Sequence, residues 1–165
     1  MAENARNKYT SIGTAAQVMG SELNSLANGG AALAGVASSN DADSTTERLT
    51  LCNLELYLEA QGSARTGDNK VSVLTVPEGQ TSEYGDISAT DDALASNYLA
   101  KRDDGSSVEF NVDASSDAVR FTAANVRMPM GNFKWWVLNG SGQALAAADN
   151  TLYVTPAFTT ASVTE

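Results

Sequence analysis

Side chains that carry out catalysis near neutral pH are scarce in this sequence. Its 165 residues include no histidine and a single cysteine, Cys52. Histidine is the usual general base near pH 7, so neither a Ser-His-Asp nor a Cys-His arrangement can form. A structural zinc site needs about four His or Cys ligands. We therefore expect no enzymatic activity, with no catalytic residues, no metal site and no cofactor.

Acidic side chains occur in close pairs that have the oxygen ligands a hard cation prefers. The pairs are Asp41 with Asp43, Asp91 with Asp92, and Asp103 with Asp104. None follows the twelve-residue calcium loop, which needs a glycine and a closing glutamate at fixed positions. Nothing in their spacing brings two carboxylates into one cleft for glycoside hydrolysis. We interpret them as solvated loop charge, and calcium binding remains the alternative.

The single cysteine excludes an intrachain disulfide. Cys52 lies in an apolar run, which predicts a buried packing residue, and an interchain link is the alternative. A chain without disulfides is consistent with folding in a reducing cytosol.

Two adjacent tryptophans need separate interpretations, because successive side chains of a strand point to opposite faces. Trp135 shares its face with Phe133, which predicts a place in the core. Trp136 shares its face with Lys134 and Leu138. If that face is outward, Trp136 is a candidate contact for a partner. If that face is covered, Trp136 is also core, and both alternatives stay open.

The elements that must position these side chains are short strands. Apolar residues alternate with polar ones in the run of Cys52, Leu54, Leu56 and Leu58, and a helix would turn Leu56 away from Leu54 by about 200°. The same alternation recurs in residues 108–113 and 133–138, and the last strand is expected to end before Pro156. Six to eight such strands predict an all-β, antiparallel β-sandwich or jelly roll with an extended N-terminal arm.

The chain is predicted to form one sandwich domain with polar ends. Residues 1–10 form a flexible N-terminal arm, residues 11–158 the β-sandwich (jelly-roll-like) domain, and residues 159–165 a C-terminal tail that frays. Residues 78–97 are acidic and polar, which predicts a long loop with a short helix near residues 91–98.

Charge and hydropathy exclude several partners. The net charge of −10 repels the phosphates of nucleic acids and anionic membrane surfaces. No apolar stretch reaches the roughly 18–20 residues of a membrane span, and the N-terminal residues lack a signal-peptide pattern. We therefore expect neither a nucleic acid nor a membrane as partner.

The C-terminal part of the sequence carries three short motifs. They are a Pro-x-Gly-x-Phe-Lys strand, an Asn-x-x-Gly-x-Ala-Leu-Ala turn and a closing Asn-Thr-Leu strand. Their positions here are Pro129, Gly131, Phe133 and Lys134, then Asn139, Gly142, Ala144, Leu145 and Ala146, then Asn150, Thr151 and Leu152. This succession resembles the closing strands of a family of small tailed-phage virion proteins of the capsid cement or decoration type. Residues 21–34 are similar to the opening strand of that family.

The resemblance implies a structural virion protein. Such a protein is made in the host cytoplasm, lies on the capsid exterior, and binds and stabilises the shell of the major capsid protein of a tailed bacteriophage. A tail or neck structural protein of the same virion is one alternative. The other is a carbohydrate-binding β-sandwich module, with Trp136 or Tyr153 stacking on sugar.

Four residues are candidates for partner binding: Arg6, Lys8, Tyr9 and Trp136. The basic pair of the N-terminal arm is suited to an acidic shell surface, and the arm can order when it binds. Unpaired strand edges predict that copies associate into a homo-oligomer, a dimer or a trimer.

Overall fold

A computed structural model describes residues 7–40, 51–66, 69–78, 107–129 and 131–162, and the side chains of all of these except residues 7–12, 40 and 158–162. Its strands are β1 Asn7–Ile12, β2 Ala16–Met19, β3 Ala31–Leu33, β4 Ser38–Asn40, β5 Leu51–Leu58, β6 Lys70–Pro77, β7 Ser107–Asn111, β8 Val119–Arg127, β9 Gly131–Gly140 and β10 Thr151–Ser162. Within the described ranges, a 3-10 turn at Ser21–Leu23 is the only helical segment. The predicted loop and helix in residues 78–98 lie almost wholly outside the description, as do the three aspartate pairs.

The strands form two five-stranded antiparallel sheets. Sheet I has the order β2-β10-β5-β8, with β1 also paired to β10, and sheet II has the order β3-β9-β6-β7, with β4 also paired to β9. Chain-neighbouring strands β2 and β3, β5 and β6, β7 and β8, and β9 and β10 thus lie in opposite sheets. This interleaving of two Greek keys is the jelly-roll order, which confirms the predicted fold class.

The core between the sheets is built by strands with one buried face. In β5 the side chains of Cys52, Leu54, Leu56 and Leu58 are at most 2 % exposed, while those between them are partly exposed. From β9 the rings of Phe133 and Trp135 enter the same core, with centroids 5.6 Å apart in an edge-to-face arrangement. Each large side chain buried in this way stabilises the fold by roughly 1.5–3 kcal/mol. The predicted alternation and the core position of Trp135 are therefore confirmed.

The opposite face of sheet II is also buried. Trp136 is fully buried and packs with Ala31, Leu74 and Val76, which all lie on sheet II. Strands that are apolar on both faces are typical of sheets covered on both sides. Of the two alternatives for Trp136, the structure shows the buried one.

Sheet I includes parts of the predicted N-terminal arm and of the predicted C-terminal tail. Asn7–Ile12 pairs with the second half of β10, from Asn7 opposite Ser162 to Ile12 opposite Ala157. Residues 7–10 of the predicted arm and residues 159–162 of the predicted tail are therefore strand. Residues 1–6 lie outside the described ranges.

Pro156 does not end β10, although the sequence favoured a strand end there. Its carbonyl oxygen accepts a hydrogen bond from the Gly13 N–H at 2.8 Å. In an antiparallel strand the N–H and C=O of one residue point to the same side. The missing N–H of Pro156 thus faces residues 13–15, the break between β1 and β2, and the ladder with β5 loses no bond.

Candidate functional site

The residues that carry the C-terminal motifs form a structural cluster. Asn139 is fully buried, and its Nδ2 donates to the carbonyl oxygens of Leu26 at 2.9 Å, Ala27 at 3.1 Å and Gln143 at 2.8 Å. Its Oδ1 accepts from the Ser141 N–H at 3.0 Å. One side chain thus ties the end of β9 to the following loop and to the turn after the 3-10 segment. Buried backbone groups need such partners, so this residue stabilises the loop and is not a binding surface.

Asn150 has a similar role at the start of β10. Its Nδ2 donates to Asn24 Oδ1 at 3.1 Å and to the Ala146 carbonyl oxygen at 2.7 Å. Its Oδ1 accepts from the Glu59 N–H at 3.2 Å, so it also holds the chain that follows β5. The asparagines at both ends of the β9–β10 connection therefore fix its path.

The sequence-predicted contact residues do not meet in one described site. The ring of Trp136 is fully buried in this structure, so it does not form a surface contact. Lys8 and Tyr9 lie in β1, where the structure gives the backbone pairing alone, and Arg6 lies outside the described ranges. Partner binding by these arm residues stays a prediction.

Cys52 is a packing residue in this structure. Its side chain is buried in the core between the sheets, and this burial raises the pKa of the thiol to about 12. A thiol that stays protonated at neutral pH is neither a good nucleophile nor a metal ligand.

Within the described residues, no group of three or more His, Cys, Asp or Glu side chains could hold a metal ion. In the same part of the chain, no helix has the length and apolar character to cross a membrane.

The outer face of sheet I carries an open groove of about 530 Å³, here called the tyrosine groove. It is lined by Ala15, Glu55, Tyr57, Arg120, Asp149, Thr151, Tyr153 and Thr155. Most of these side chains come from β5, β8 and β10, whose intervening residues face the core. The alternation that buries the leucines of β5 therefore also determines which residues face the groove.

Strand register places the groove side chains in rows across three strands. Arg120 of β8, Tyr57 of β5 and Thr151 of β10 are paired in one row. In the next row Glu55 is paired with Tyr153. The two tyrosines are thus diagonal neighbours on adjacent strands, a relation that separates residues by about 7–8 Å.

Hydrogen bonds hold the polar ends of these side chains. The Tyr57 hydroxyl donates to Glu59 Oε2 at 2.7 Å, and the Tyr153 hydroxyl donates to Gln17 Oε1 at 3.2 Å. Arg120 Nη1 donates to Glu55 Oε1, and the guanidinium lies over the Tyr57 ring, 5.2 Å from its centroid. One face of Tyr57 is thereby occupied by a cation–π contact.

Two groups beside the groove, Tyr57 and Glu59, have shifted pKa values. The hydrogen bond to Glu59 raises the pKa of the Tyr57 hydroxyl above its ordinary 10.0, which keeps the phenol neutral. Hydrogen bonds from the Ala60 N–H and, with a smaller effect, from the Tyr57 hydroxyl lower the pKa of Glu59 below 4.5. Glu59, Glu55 and Asp149 therefore leave the region negative in spite of Arg120.

The sequence predicts part of this groove. The alternation in β5 predicted that Glu55 and Tyr57 face solvent, and Tyr153 was a candidate for sugar stacking. Arg120 was missed. Its outward direction follows from the inward Val119 and Phe121, but its contact with Glu55, 65 residues away, depends on strand order.

A second depression, of about 330 Å³, lies between the 3-10 turn and β4. Glu22 lines it, but its carboxylate accepts from the N–H groups of Gly20 at 3.0 Å and Gly35 at 3.1 Å. These hydrogen bonds lower the pKa of Glu22, and the bond from the Gly20 N–H has the largest effect. The carboxylate therefore has a structural role between two loops.

Neither a protein-family model nor a curated protein sequence matches this chain. Among solved structures, a chain of Desmodium yellow mottle tymovirus is similar with a TM-score of 0.39 and 10 % identity, covering 100 % of this chain and 93 % of its own. A chain of turnip yellow mosaic virus has a TM-score of 0.37 and 12 % identity, covering 100 % and 87 %. Similarity at this level does not assign a function to this chain, and the jelly-roll assignment comes from the order of its strands.

Proposed function

We propose that this chain is a structural virion protein of the capsid cement or decoration type. In that role it binds and stabilises the shell of the major capsid protein of a tailed bacteriophage, on the capsid exterior. The observation that carries the proposal is the jelly-roll order of the strands. The C-terminal motifs on which the family resemblance rests lie in the last strands of that order, where Asn139 and Asn150 fix the β9–β10 connection. Jelly rolls occur in viral capsid proteins as well as in lectin domains.

The proposed role depends on adhesion by a rigid block. Two sheets around one apolar core resist deformation, since a packed interior does not rearrange continuously. A clip that spans several shell subunits needs only modest affinity per contact, because many copies and contacts act together. The open depression between the 3-10 turn and β4 is one surface of the described residues that suits such contacts.

Self-association is the second part of the proposal. The nine-residue strand β8 is an edge of sheet I, and its far side has no strand partner among the described residues. Such edges pair with other chains unless something prevents it. A dimer or trimer would present several copies of each contact surface to the shell, and light scattering of the purified chain measures its mass.

Mass spectrometry of purified particles, with the copy number per virion, tests the location. Hundreds of copies per particle are expected for a cement protein. Six or twelve copies would indicate the tail or neck instead, and absence from the particle would contradict any virion role.

A deletion tests the proposed contact of the N-terminal arm. Because residues 7–12 belong to sheet I, the deletion covers residues 1–6 and leaves β1 intact. Loss of Arg6 with this segment should lower capsid occupancy without changing the melting temperature. Unchanged occupancy would remove the segment from the binding mechanism.

A further inference from the structure

We propose that the tyrosine groove is a binding site for a neutral saccharide. This inference goes beyond the proposed capsid role. The groove lies on one face of sheet I and is lined by side chains that do not belong to the core.

The aromatic surface of the groove is suited to a sugar ring. Tyr153 is partly exposed and lines the groove, and its hydroxyl donates a hydrogen bond to Gln17. A pyranose presents a face of C–H groups and an edge of hydroxyls, which matches an aromatic ring with polar neighbours. Tyr57 contributes less stacking area, because Arg120 covers one of its faces.

Groups that bind hydroxyls surround that ring. Glu55 and Asp149 offer acceptor oxygens, Arg120 offers donors, and Thr151 and Thr155 offer both. Glu55 and Arg120 are paired with one another, so each is oriented before a ligand arrives. Side chains fixed on strands keep a precise arrangement and lose less entropy on binding than side chains on loops.

Charge and lining restrict the ligand class. The acidic surroundings, with Glu55, Glu59 and Asp149 against Arg120, disfavour phosphorylated, sulfated and carboxylated sugars. Ala15 is the only aliphatic side chain among the described lining residues, so a lipid or other hydrophobic ligand would find little apolar surface on them. Together with the partly exposed Tyr153 ring, these properties fit a neutral polyhydroxylated ligand.

Titration of the full chain followed by amide NMR tests the site. The probes are the methyl glycosides of glucose, galactose, mannose and N-acetylglucosamine, their neutral oligosaccharides, and glucuronic acid as the acidic comparison. At least one neutral probe should give saturable shifts centred on the groove strands, and glucuronic acid should not. The proposal is overturned if no neutral probe saturates or if the shifts map elsewhere. Concentration-dependent shifts of this face without sugar would also overturn it, because they would indicate a second copy as occupant.

Matched variants separate stacking from other effects. Tyr153→Ala should weaken binding at least tenfold, about 1.4 kcal/mol, while Tyr153→Phe, which keeps the ring, should stay within about threefold of the unchanged chain. Thr122→Ala is the control, because Thr122 is exposed on the same face of β8 but does not line the groove. Full affinity in Tyr153→Ala would contradict the stacking model. Capsid occupancy, measured on the same variants, reports separately on the proposed virion role.

Discussion

Replacing Asn139 by alanine removes the side chain that joins β9 to two loops. The amide has two N–H protons for the carbonyl oxygens of Leu26, Ala27 and Gln143, and its oxygen accepts from Ser141. After truncation the three carbonyl oxygens each keep one other hydrogen bond, from the Leu145 N–H, the Gly30 N–H and the Ser141 hydroxyl respectively. The Ser141 N–H loses the acceptor that the structure gives it. The chain must then leave this buried N–H unsatisfied or open the loop to water, and it loses the bonds that tie β9 to the two loops.

The expected loss of stability follows from these bonds. Two shared N–H groups and one acceptor correspond to about three hydrogen bonds, each with a net contribution of about 1 kcal/mol. We therefore expect Asn139→Ala to lower the free energy of unfolding by about 3 kcal/mol. In a domain of this size, that lowers the melting temperature by roughly 6–12 °C.

Urea denaturation followed by tryptophan fluorescence measures the change. The control is Asn53→Ala, because Asn53 Oδ1 accepts one bond, from the exposed Asn125 N–H at 3.3 Å, and should cost less than about 1 kcal/mol. Equal losses in the two variants would refute the assigned role of Asn139.

The acidic variant Asn139→Asp sharpens the test. One oxygen of its carboxylate would face three carbonyl oxygens, and the other would keep the single donor, the Ser141 N–H. Burial and repulsion by the carbonyl oxygens should outweigh that one bond and raise the pKa in the folded state above the ordinary value of about 3.9. A carboxyl group whose pKa is raised in the folded state destabilises the fold when it is ionised. Its destabilisation should be largest at neutral pH and decrease as the pH falls toward and below 4.

Three further variants have distinct expected outcomes. Gly142→Ala should lower the free energy of unfolding by at least about 1 kcal/mol, because Gly142 has φ +87° and a Cβ there would lie 2.4 Å from Thr66 Oγ1. An unchanged midpoint in urea denaturation would contradict this. Trp136→Ala should cost about 3–5 kcal/mol if the ring is core, whereas a change within 0.5 kcal/mol would indicate a surface contact. Because the hydrogen bonds to Glu22 lower its pKa, their stabilisation is present above pH 4.5 and lost as the pH falls below it. Glu22→Gln should therefore lower the free energy of unfolding by about 0.5–1 kcal/mol at pH 7, a value reduced for the exposure of the carboxylate, and should have no effect at low pH. A difference in stability that does not change with pH would rule this out.

The local part of the fold was predictable because it depends on adjacent residues. Alternation in β5 and β9 identified the strands, the inward faces and the core position of Trp135, since a pleated strand has a strict period of two. The frequent turns and the number of strands then favoured a sandwich or jelly roll. Both features are confirmed.

Features that depend on strand order were not predictable in this way. The burial of Trp136 depends on a covered outer face of sheet II, and alternation within β9 does not reveal whether such a cover exists. The continuation of β10 through Pro156 depends on the break between β1 and β2. The tyrosine groove joins β5, β8 and β10, which lie far apart along the chain.

The position of β10 has a consequence for synthesis on the ribosome. It is the last described strand along the chain, yet it lies in the interior of sheet I, between β5 and the first two strands. Until residues 151–162 emerge, β5 and β2 have no partner on their inner edges. A nascent chain must therefore keep these edges from pairing with other chains, and sheet I can close only after residues 151–162 have been synthesised.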